Sequence, residues 1–163
     1  MVQLSEFDWG VRVIDAAEAE AFAAQVDVTT RDRERIRRVL SEFPVACQVR
    51  GMFFQGLVDT IARSRTYEAA KELVKLGGVR TRFVPFSLMP HRDFYKLYFL
   101  ASALLYPGSP LDTGMERIAE DFYPVFRSSM VGRTISAFIG SEPITVLERL
   151  AQAYRVSFPW NEH

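Results

Sequence analysis

The spacing of apolar residues predicts a mainly helical chain. In the segment 51–64, large apolar side chains recur at offsets of 0, 3, 4 and 7, which places them on one face of a helix. These residues are Phe54, Leu57, Val58 and Ile61. Thr66 suits the N-cap of a second helix because its hydroxyl can accept a backbone N–H, and Gly77 with Gly78 can end that helix. The two helices are predicted to form a central hairpin.

Similar apolar stripes predict helices on both sides of this hairpin. Upstream, a short peripheral helix is expected after Asp15, and a second helix spans 30–43 with Thr29 or Thr30 as its cap. Downstream, the segment 92–106 has the broadest apolar face and is the predicted central core helix. Three more helices are predicted at 110–124, 125–139 and 144–154.

Prolines predict where one of these helices starts and where it kinks or ends, and alternating residues predict short strands. Ser109 is the predicted N-cap of a helix that starts at Pro110, and Pro124 is predicted to kink or end it. Alternation of apolar residues with arginines predicts a strand over 79–83, and 45–49 is a short strand or an extended linker. The predicted fold class is therefore predominantly α-helical, with about six or seven helices and at most short β segments. A truncated α+β ligand-binding-like domain is the alternative.

Length and composition favour one domain of 163 residues. Residues 1–48 are predicted to form an N-terminal helical extension, acidic and then Arg-rich, which packs against a helical core at 49–163. The formal net charge is +0, with 20 basic and 20 acidic residues, so no general attraction to nucleic acid or anionic membranes is expected. The sequence shows neither a secretory signal nor a run of about 18 apolar residues, which predicts a cytoplasmic location without membrane association.

Residues that could carry chemistry are few. Cys47 is the only cysteine, and His91 and His163 are the only histidines. A metal site built on histidine usually shows a spacing such as H-E-x-x-H, which is not found. Cys47 as a nucleophile would need a nearby base such as His91, and a buried, inert cysteine is the favoured interpretation. We expect no catalytic residues, no metal and no enzyme activity.

Two groups of polar residues are candidate contacts for an anion or a partner protein. The first lies on helix 30–43 and could bind nucleic-acid phosphates, although the acidic segment 1–27 could neutralise it within the chain. The second combines a hydroxyl with two guanidinium groups, which suits phosphate, although a solvated helix face is the favoured interpretation. The candidate residues are Arg31, Arg35 and Arg38 in the first group and Arg127, Ser128 and Arg133 in the second.

Aromatic residues on the predicted core helices are candidate lining residues of an apolar ligand pocket. The alternative is that they are ordinary core residues, which is more common for aromatics on a long apolar helix. The candidate pocket residues are Phe54, Tyr95, Tyr98, Phe99 and Tyr106.

Several segments resemble a large paralogous family of uncharacterised domains from myxobacteria. They are R-G-M-F-F-Q-G-L, D-F-Y-K-L-Y-F-L-A-S-A-L-L-Y-P-G-S-P, and V-G-R-T-I-S-A-F-I-G-S-E-P followed by L-E-R-L. The resemblance covers roughly residues 49–155, and the Tyr-Pro-Gly-Ser-Pro turn and the Gly-Arg-Thr segment are its most specific parts. Because the family has no assigned activity, the resemblance implies a domain and no mechanism.

The order of the helices is also similar to the haem nitric-oxide-binding and vinyl-reductase-type small-molecule-binding superfamily. Its haem members carry a proximal histidine on the late helix, where this sequence reads E-P-I-T-V-L-E-R-L. They also hold the haem propionates with a Tyr-x-Ser-x-Arg motif in a C-terminal sheet that this sequence does not predict. The similarity therefore implies a helical pocket or an interaction surface, and we expect no haem or other cofactor.

Together these observations predict a non-catalytic signalling or scaffolding module that binds a partner protein, with a homodimer as one form. The first alternative is a small-molecule sensor with an apolar pocket among the segments 51–64, 92–106 and 142–154. The second is nucleic-acid binding through the Arg-rich helix 30–43, which the balanced net charge argues against.

Overall fold

A computed structural model describes residues 16–42, 44, 47–80 and 82–139. Over these residues the chain forms seven helices and one two-stranded sheet, which confirms the predominantly α-helical fold class. The helices are α1 (Ala16–Gln25), α2 (Thr30–Glu42), α3 (Gly51–Ser64), α4 (Tyr67–Leu76), α5 (His91–Leu105), α6 (Leu111–Ser128) and α7 (Met130–Ile139). The strands are β1 (Gln48–Arg50) and β2 (Leu88–Pro90). The predicted Asp15 cap and the predicted helix 144–154 lie outside the described residues.

The short antiparallel sheet joins the starts of the two central helices. β1 leads directly into α3 and β2 into α5, with Val49 opposite Met89. Both of these side chains are buried, so the strands also contribute to the core. The β1 strand agrees with the extended segment predicted at 45–49. The strand predicted over 79–83 is wrong for the residues described there, because the strand that pairs with β1 is β2.

A turn after α4 accounts for this difference. The backbone N–H of Val79 donates to the carbonyl of Val74 at 3.1 Å, so Val79 is part of the turn that closes α4. The ring of Phe83 stacks on that of Phe54, with 5.2 Å between centroids. The apolar residues of 79–83 therefore reach the core from an irregular connection, which an alternating pattern cannot distinguish from a strand.

The connection before β2 also satisfies the start of α3. The N–H of Gly51 donates to the carbonyl of Ser87, and the N–H of Met52 donates to the carbonyl of Pro85, both at 2.9 Å. Arg50, at the N-cap position, makes no capping hydrogen bond with its side chain. Backbone carbonyl groups therefore accept hydrogen bonds from the first N–H groups of α3, a role that a capping side chain can have in other helices.

The helical hairpin predicted from the sequence is formed by α3 and α4. The Thr66 hydroxyl accepts a hydrogen bond from the N–H of Ala69 at 3.1 Å, as the predicted N-cap requires. Gly78 follows α4 with φ +64°, a left-handed conformation that suits glycine. The predicted beginning and end of this second helix are therefore both confirmed.

Gly56 provides the contact between α3 and α6. A Cβ atom added at Gly56 would lie 2.7 Å from Cε2 of Phe122, so any larger residue would have to displace this ring. The ring of Phe53 stacks on that of Phe122 at 6.3 Å and on that of Phe126 at 6.1 Å. The glycine inside the predicted helix thus has a packing role.

The helix predicted as the central core helix is α5. Leu97 and Ala101 are fully buried on it, and Phe99 is almost so. Two side chains fasten it to α6: the Tyr98 hydroxyl donates to the carbonyl of Met115 at 2.5 Å, and the Ser102 hydroxyl to that of Leu111 at 3.1 Å. No helix in the described ranges has the length and apolar character needed to cross a membrane.

Two details of α6 differ from the sequence predictions. The helix begins at Leu111 with Pro110 at the N-cap position, so Ser109 is not the cap. The N–H of Ser109 instead donates to the carbonyl of Tyr106 at 3.1 Å, in a turn. Pro124 does not end the helix, which continues to Ser128. It is exposed, so the carbonyl that loses its helical donor lies on the side that water reaches.

The first two helices pack together and against the core. Phe22 is buried and docks α1, as predicted, and Ile36 and Leu40 are fully buried on α2. The Thr29 hydroxyl accepts from the N–H of Asp32 at 3.2 Å, which identifies Thr29 as the cap of α2. The helix predicted at 30–43 extends to Glu42 in the described part of the chain.

Candidate functional site

The end of α6 and the start of α7 meet in a tight turn. The Ser129 hydroxyl donates to the carbonyl of Phe126 at 2.6 Å and accepts from the N–H of Gly132 at 3.0 Å. A Cβ atom at position 132 would lie only 1.9 Å from the carbonyl oxygen of Phe126, so glycine is required at Gly132. This close contact brings Arg127 and Arg133 to the same part of the surface.

Three of the predicted contact residues line one concavity here. Arg127, Ser128 and Arg133 surround a volume of about 520 Å³ together with Tyr123 and Pro124. Both arginines are exposed, and neither forms an ion pair with a carboxylate of the described residues. The structure therefore brings the predicted group together as a basic concavity with an aromatic and a proline on its wall.

Ser128 contributes less to this concavity than the sequence suggested. Its hydroxyl donates to the carbonyl of Val125 at 2.8 Å, so the hydrogen that an anion would need is already engaged. Donors for an anion must therefore come from Arg127 and Arg133, whose guanidinium groups can each bind a carboxylate or a phosphate through two parallel hydrogen bonds.

An apolar groove lies on the other side of the same turn. Its volume is about 180 Å³. It is adjacent to the basic concavity, because Phe126 and Ser129 line the groove while Arg127 and Ser128 line the concavity. The groove is lined by Met52, Gln55, Gly56, Asp59, Pro85, Phe126, Ser129 and Met130.

Large apolar side chains are exposed at or next to these two surfaces: Met130 lines the groove, Tyr123 lines the basic concavity, and Phe86 follows the groove residue Pro85 in the chain. Phe86 is 64% exposed, Tyr123 63% and Met130 75%. Pro85 and Met130 line the same groove, so the connection before β2 and the start of α7 form one surface. We call this surface the junction face; it comprises Val84, Pro85, Phe86, Tyr123, Arg127, Met130 and Arg133. Sequence analysis missed the apolar residues of this face, because apolar periodicity assigns such residues to the core.

The three arginines predicted on α2 lie in a different environment. Arg31, Arg35 and Arg38 line a concavity of about 790 Å³ together with Asp32, Glu34 and Asp112 among others. Arg35 forms an ion pair with Asp112 across to α6. The concavity thus contains as many carboxylates as guanidinium groups, which weakens its attraction for phosphate.

The acidic and basic helices at the start of the chain also form an ion pair. Nη2 of Arg37 on α2 lies 3.1 Å from Oε1 of Glu20 on α1. This contact supports the interpretation that the acidic segment neutralises the arginines within the chain. Of the two predicted arginine groups, only the one at the α6–α7 turn is free of such carboxylate partners in the described structure.

The candidate pocket residues form an aromatic layer in the core. The ring of Phe54 meets that of Phe94 edge-on at 5.5 Å, and Phe94 lies 5.8 Å from Tyr98. Tyr95 and Phe99 are also 5.8 Å apart. The structure therefore brings Phe54, Tyr95, Tyr98 and Phe99 close together, with their rings packed against neighbouring rings.

The hydroxyl groups of two candidate tyrosines face α6. Burial raises the pKa of Tyr98 to about 12, with a smaller contribution from Tyr95. The hydroxyl of Tyr106 lies 3.4 Å from Oδ2 of Asp121, and partial burial together with this carboxylate raises the pKa of Tyr106. Both phenols are therefore protonated at neutral pH and act as hydrogen-bond donors.

Cys47 and His91 are neighbours, because the backbone N–H of His91 donates to the carbonyl of Cys47 at 2.9 Å. Burial raises the pKa of the Cys47 thiol, although Arg92 opposes this effect. Burial lowers the pKa of His91 to about 4. Both side chains are consequently neutral near pH 7, which does not favour a thiolate nucleophile. No group of three potential metal ligands occurs among the residues with described positions.

A buried lysine that the sequence did not single out links α1 to α5. Nζ of Lys96 lies 2.9 Å from Oε1 of Glu18 and 5.7 Å from the ring centre of Phe22. Burial raises the pKa of the neighbouring Asp93, and Glu18 raises it further, while Lys96 and two arginines oppose the shift. Because the sequence pattern does not show which residues meet between helices, this cluster could be recognised only from the structure.

Comparison with known proteins identifies a domain without assigning it an activity. The model of a family described as "Protein of unknown function (DUF2378)" matches residues 45–160. The matched range includes both strands and α3 to α7, whereas α1 and α2 precede it. No curated protein and no solved structure is significantly similar to the chain.

Proposed function

Because the chain belongs to the DUF2378 family, whose function is unknown, we propose a function from the surface of the protein: it binds a partner protein through the junction face. In this proposal the chain is a non-catalytic signalling or scaffolding module of the cytoplasm. The observation that carries the proposal is the exposure of Met130, which lines the groove, and of Phe86, which follows the groove residue Pro85 in the chain.

The composition of the junction face supports this role. Aromatic residues, methionine and arginine are enriched in protein–protein interfaces, and all three occur here. Phe86 and Tyr123 are rigid aromatic side chains, which lose little conformational entropy when a partner covers them. Large apolar residues that are exposed together, with charged residues at the rim, are typical of interaction sites.

The chemistry of the remaining candidate residues supports a non-catalytic role. Cys47 and His91 are both neutral, and Tyr98 is engaged by a carbonyl group. An acid, a base and a nucleophile that converge on one open cavity would favour an enzyme instead.

The family resemblance supports the same proposal from another direction. If the chain is one of many myxobacterial paralogues, an exposed surface that differs between them would allow each to select its own partner. The more distant resemblance to a small-molecule-binding superfamily favours a sensor, but the aromatic rings of its candidate pocket pack against one another.

Site-specific photo-crosslinking in the native cell tests the proposal. A photoreactive phenylalanine replaces Phe86 in one variant and Tyr123 in another. We expect both variants to form an adduct with the same protein, because the two positions belong to one face. Tyr67 on α4 is the matched control, since it is 54% exposed and lies outside the junction face.

The identity of the crosslinked protein distinguishes a homodimer from a complex with another protein. An adduct with a second copy of the chain would identify the partner as a homodimer subunit. No adduct from Phe86 or Tyr123, or an identical adduct from Tyr67, would overturn the proposal that the junction face binds a partner.

A further inference from the structure

The charges of the junction face specify one property of its partner. Arg127 and Arg133 line the basic concavity, and none of its lining residues in the described part of the chain is a carboxylate. The arginines on α2 differ, because Asp32, Glu34 and Asp112 share their concavity. The guanidinium groups at the α6–α7 turn are therefore available to form paired, charge-assisted hydrogen bonds. A carboxylate is a group that complements them.

The backbone that carries these arginines is held firmly. Ser129 bonds to Phe126 and to Gly132, and the N–H of Arg133 donates to the carbonyl of Ser129 at 2.9 Å. Their Cα positions are thus fixed before binding, which reduces the entropy lost when a ligand binds.

The neighbouring groove specifies a second property. Pro85, Phe126 and Met130 give it apolar walls, and its volume of about 180 Å³ suits one large apolar side chain. Asp59 lies at the groove too, but its Oδ1 already accepts a hydrogen bond from Nε2 of Gln55 at 2.8 Å. An apolar group can therefore enter without breaking the hydrogen bond that this oxygen accepts.

From these two properties, and resting on the proposed function, we propose that the partner presents an acidic segment. Its carboxylates bind Arg127 and Arg133, and a large apolar side chain between or beside them enters the groove next to Met130. The apolar walls of both concavities match a peptide better than a nucleic-acid backbone, whose recognition needs a larger positive surface.

Selection of displayed peptides on the full chain tests this inference. A library of random twelve-residue peptides is the probe, and the selected peptides are then measured by fluorescence polarisation. We expect enrichment of peptides with two or more acidic residues near a large apolar residue. The R127A/R133A variant should bind them roughly tenfold more weakly or worse, which corresponds to the loss of about 1.4 kcal/mol.

The R31A/R38A variant is the matched control, because it also removes two exposed arginines but from α2. It should bind the selected peptides as the unmodified chain does. Thermal unfolding of both variants shows whether each remains folded. If R127A/R133A is unfolded, the test uses R127K/R133K, which keeps the charge but not the paired hydrogen bonds and should still weaken binding.

The inference is overturned if no selected peptide binds the R127A/R133A variant more weakly than it binds the unmodified chain. Retention of a labelled single-stranded oligonucleotide by the same two arginines would also overturn it, in favour of nucleic acid. Either result leaves the proposed function in place if Phe86 and Tyr123 still crosslink to one protein. Failure of that crosslinking is the separate result that removes the proposed function.

Discussion

The ammonium group of Lys96 on α5 and the carboxylate of Glu18 on α1 lie 2.9 Å apart, although the two residues occupy very different environments. The side chain of Lys96 is 10% exposed and that of Glu18 is 51% exposed. The pair thus joins the first helix to a charge that is nearly buried. Because a buried charge without its partner is costly, removal of Glu18 and removal of Lys96 should have unequal effects.

We expect E18Q to lower the free energy of unfolding by about 1 kcal/mol, since it removes the carboxylate that forms the ion pair with the Lys96 ammonium. K96M should lower the free energy of unfolding clearly less than E18Q does, because it replaces the buried charge with an apolar group of similar length. Urea unfolding at neutral pH measures both. E116Q, at an exposed position on α6, is the control. Equal losses in E18Q and K96M would contradict this interpretation.

Gly56 should tolerate no side chain while Phe122 is present. We predict that G56A lowers the free energy of unfolding by about 1 to 3 kcal/mol, because the new methyl group would overlap the Phe122 ring. In an F122A background the same substitution should cost much less, since the ring is absent. A double-mutant cycle measured by thermal or urea unfolding gives this coupling. Additive effects would show that the contact does not determine the choice of glycine.

Thr66 should stabilise α4 through its hydroxyl. T66A is expected to lower the free energy of unfolding by about 1 kcal/mol, because the N–H of Ala69 loses its hydrogen-bond acceptor. T66S keeps the hydroxyl and should stay close to the unmodified chain. Loss of stability in T66S equal to that in T66A would instead point to the threonine methyl group.

His91 should make the protein less stable in acid. Burial lowers its pKa from 6.5 to about 4, so between these values an unfolded chain binds a proton that the folded protein does not. Stability contributed by neutral His91 is therefore present above pH 6.5 and is lost as the pH falls toward 4. Asp93 acts in the opposite direction, because its raised pKa makes the folded protein bind the additional proton.

We expect the unmodified chain to lose about 1 to 2 kcal/mol more than H91Q between pH 7 and pH 5, a value reduced for the remaining solvent contact of the ring. Urea unfolding at both pH values measures the difference, and both proteins keep Asp93. Parallel pH dependence of the two proteins would show that folding does not lower the pKa of His91.

Cys47 should react slowly in the folded protein. Its thiol is buried and has a raised pKa, so few molecules carry an accessible thiolate at pH 8. We predict that a disulfide-exchange reagent such as dithionitrobenzoate labels the folded chain at least tenfold more slowly than the chain in concentrated denaturant. Equal rates would indicate a reactive thiol and would reopen an enzymatic interpretation.

The features that the sequence predicted correctly depend on local physics. The helical hairpin follows from apolar periodicity, and Thr66 and Gly78 follow from local hydrogen bonding and backbone conformation. The strand predicted at 79–83 is wrong, because the alternating apolar residues near Phe83 lie in an irregular connection and reach the core from there. Of the two outcomes predicted for Pro124, the end of the helix is wrong, because α6 continues to Ser128 with the proline on an exposed side.

The candidate site was only partly accessible from sequence. Arg127, Ser128 and Arg133 could be grouped because they are close in the chain and Gly132 lies among them. Pro85 and Met130 could not, because they are more than 40 positions apart and line one groove only through tertiary packing. Apolar residues in a helix or beside a proline are usually assigned to the core, and nothing in the sequence marks Phe86 and Met130 as exposed.

The way in which α3 begins has an evolutionary consequence. Its first N–H groups bind the carbonyl oxygens of Pro85 and Ser87, and the β1–β2 ladder holds the ends of this connection. The hydrogen bonds on that side go to main-chain carbonyl groups of the connection, and the carbonyl of Phe86 also accepts from the Arg50 guanidinium at 2.6 Å. The side chains of Val84 and Phe86 make none of these bonds and are exposed. Substitution of these side chains can change recognition while the helical scaffold keeps its stability, so specificity can diverge without a new fold.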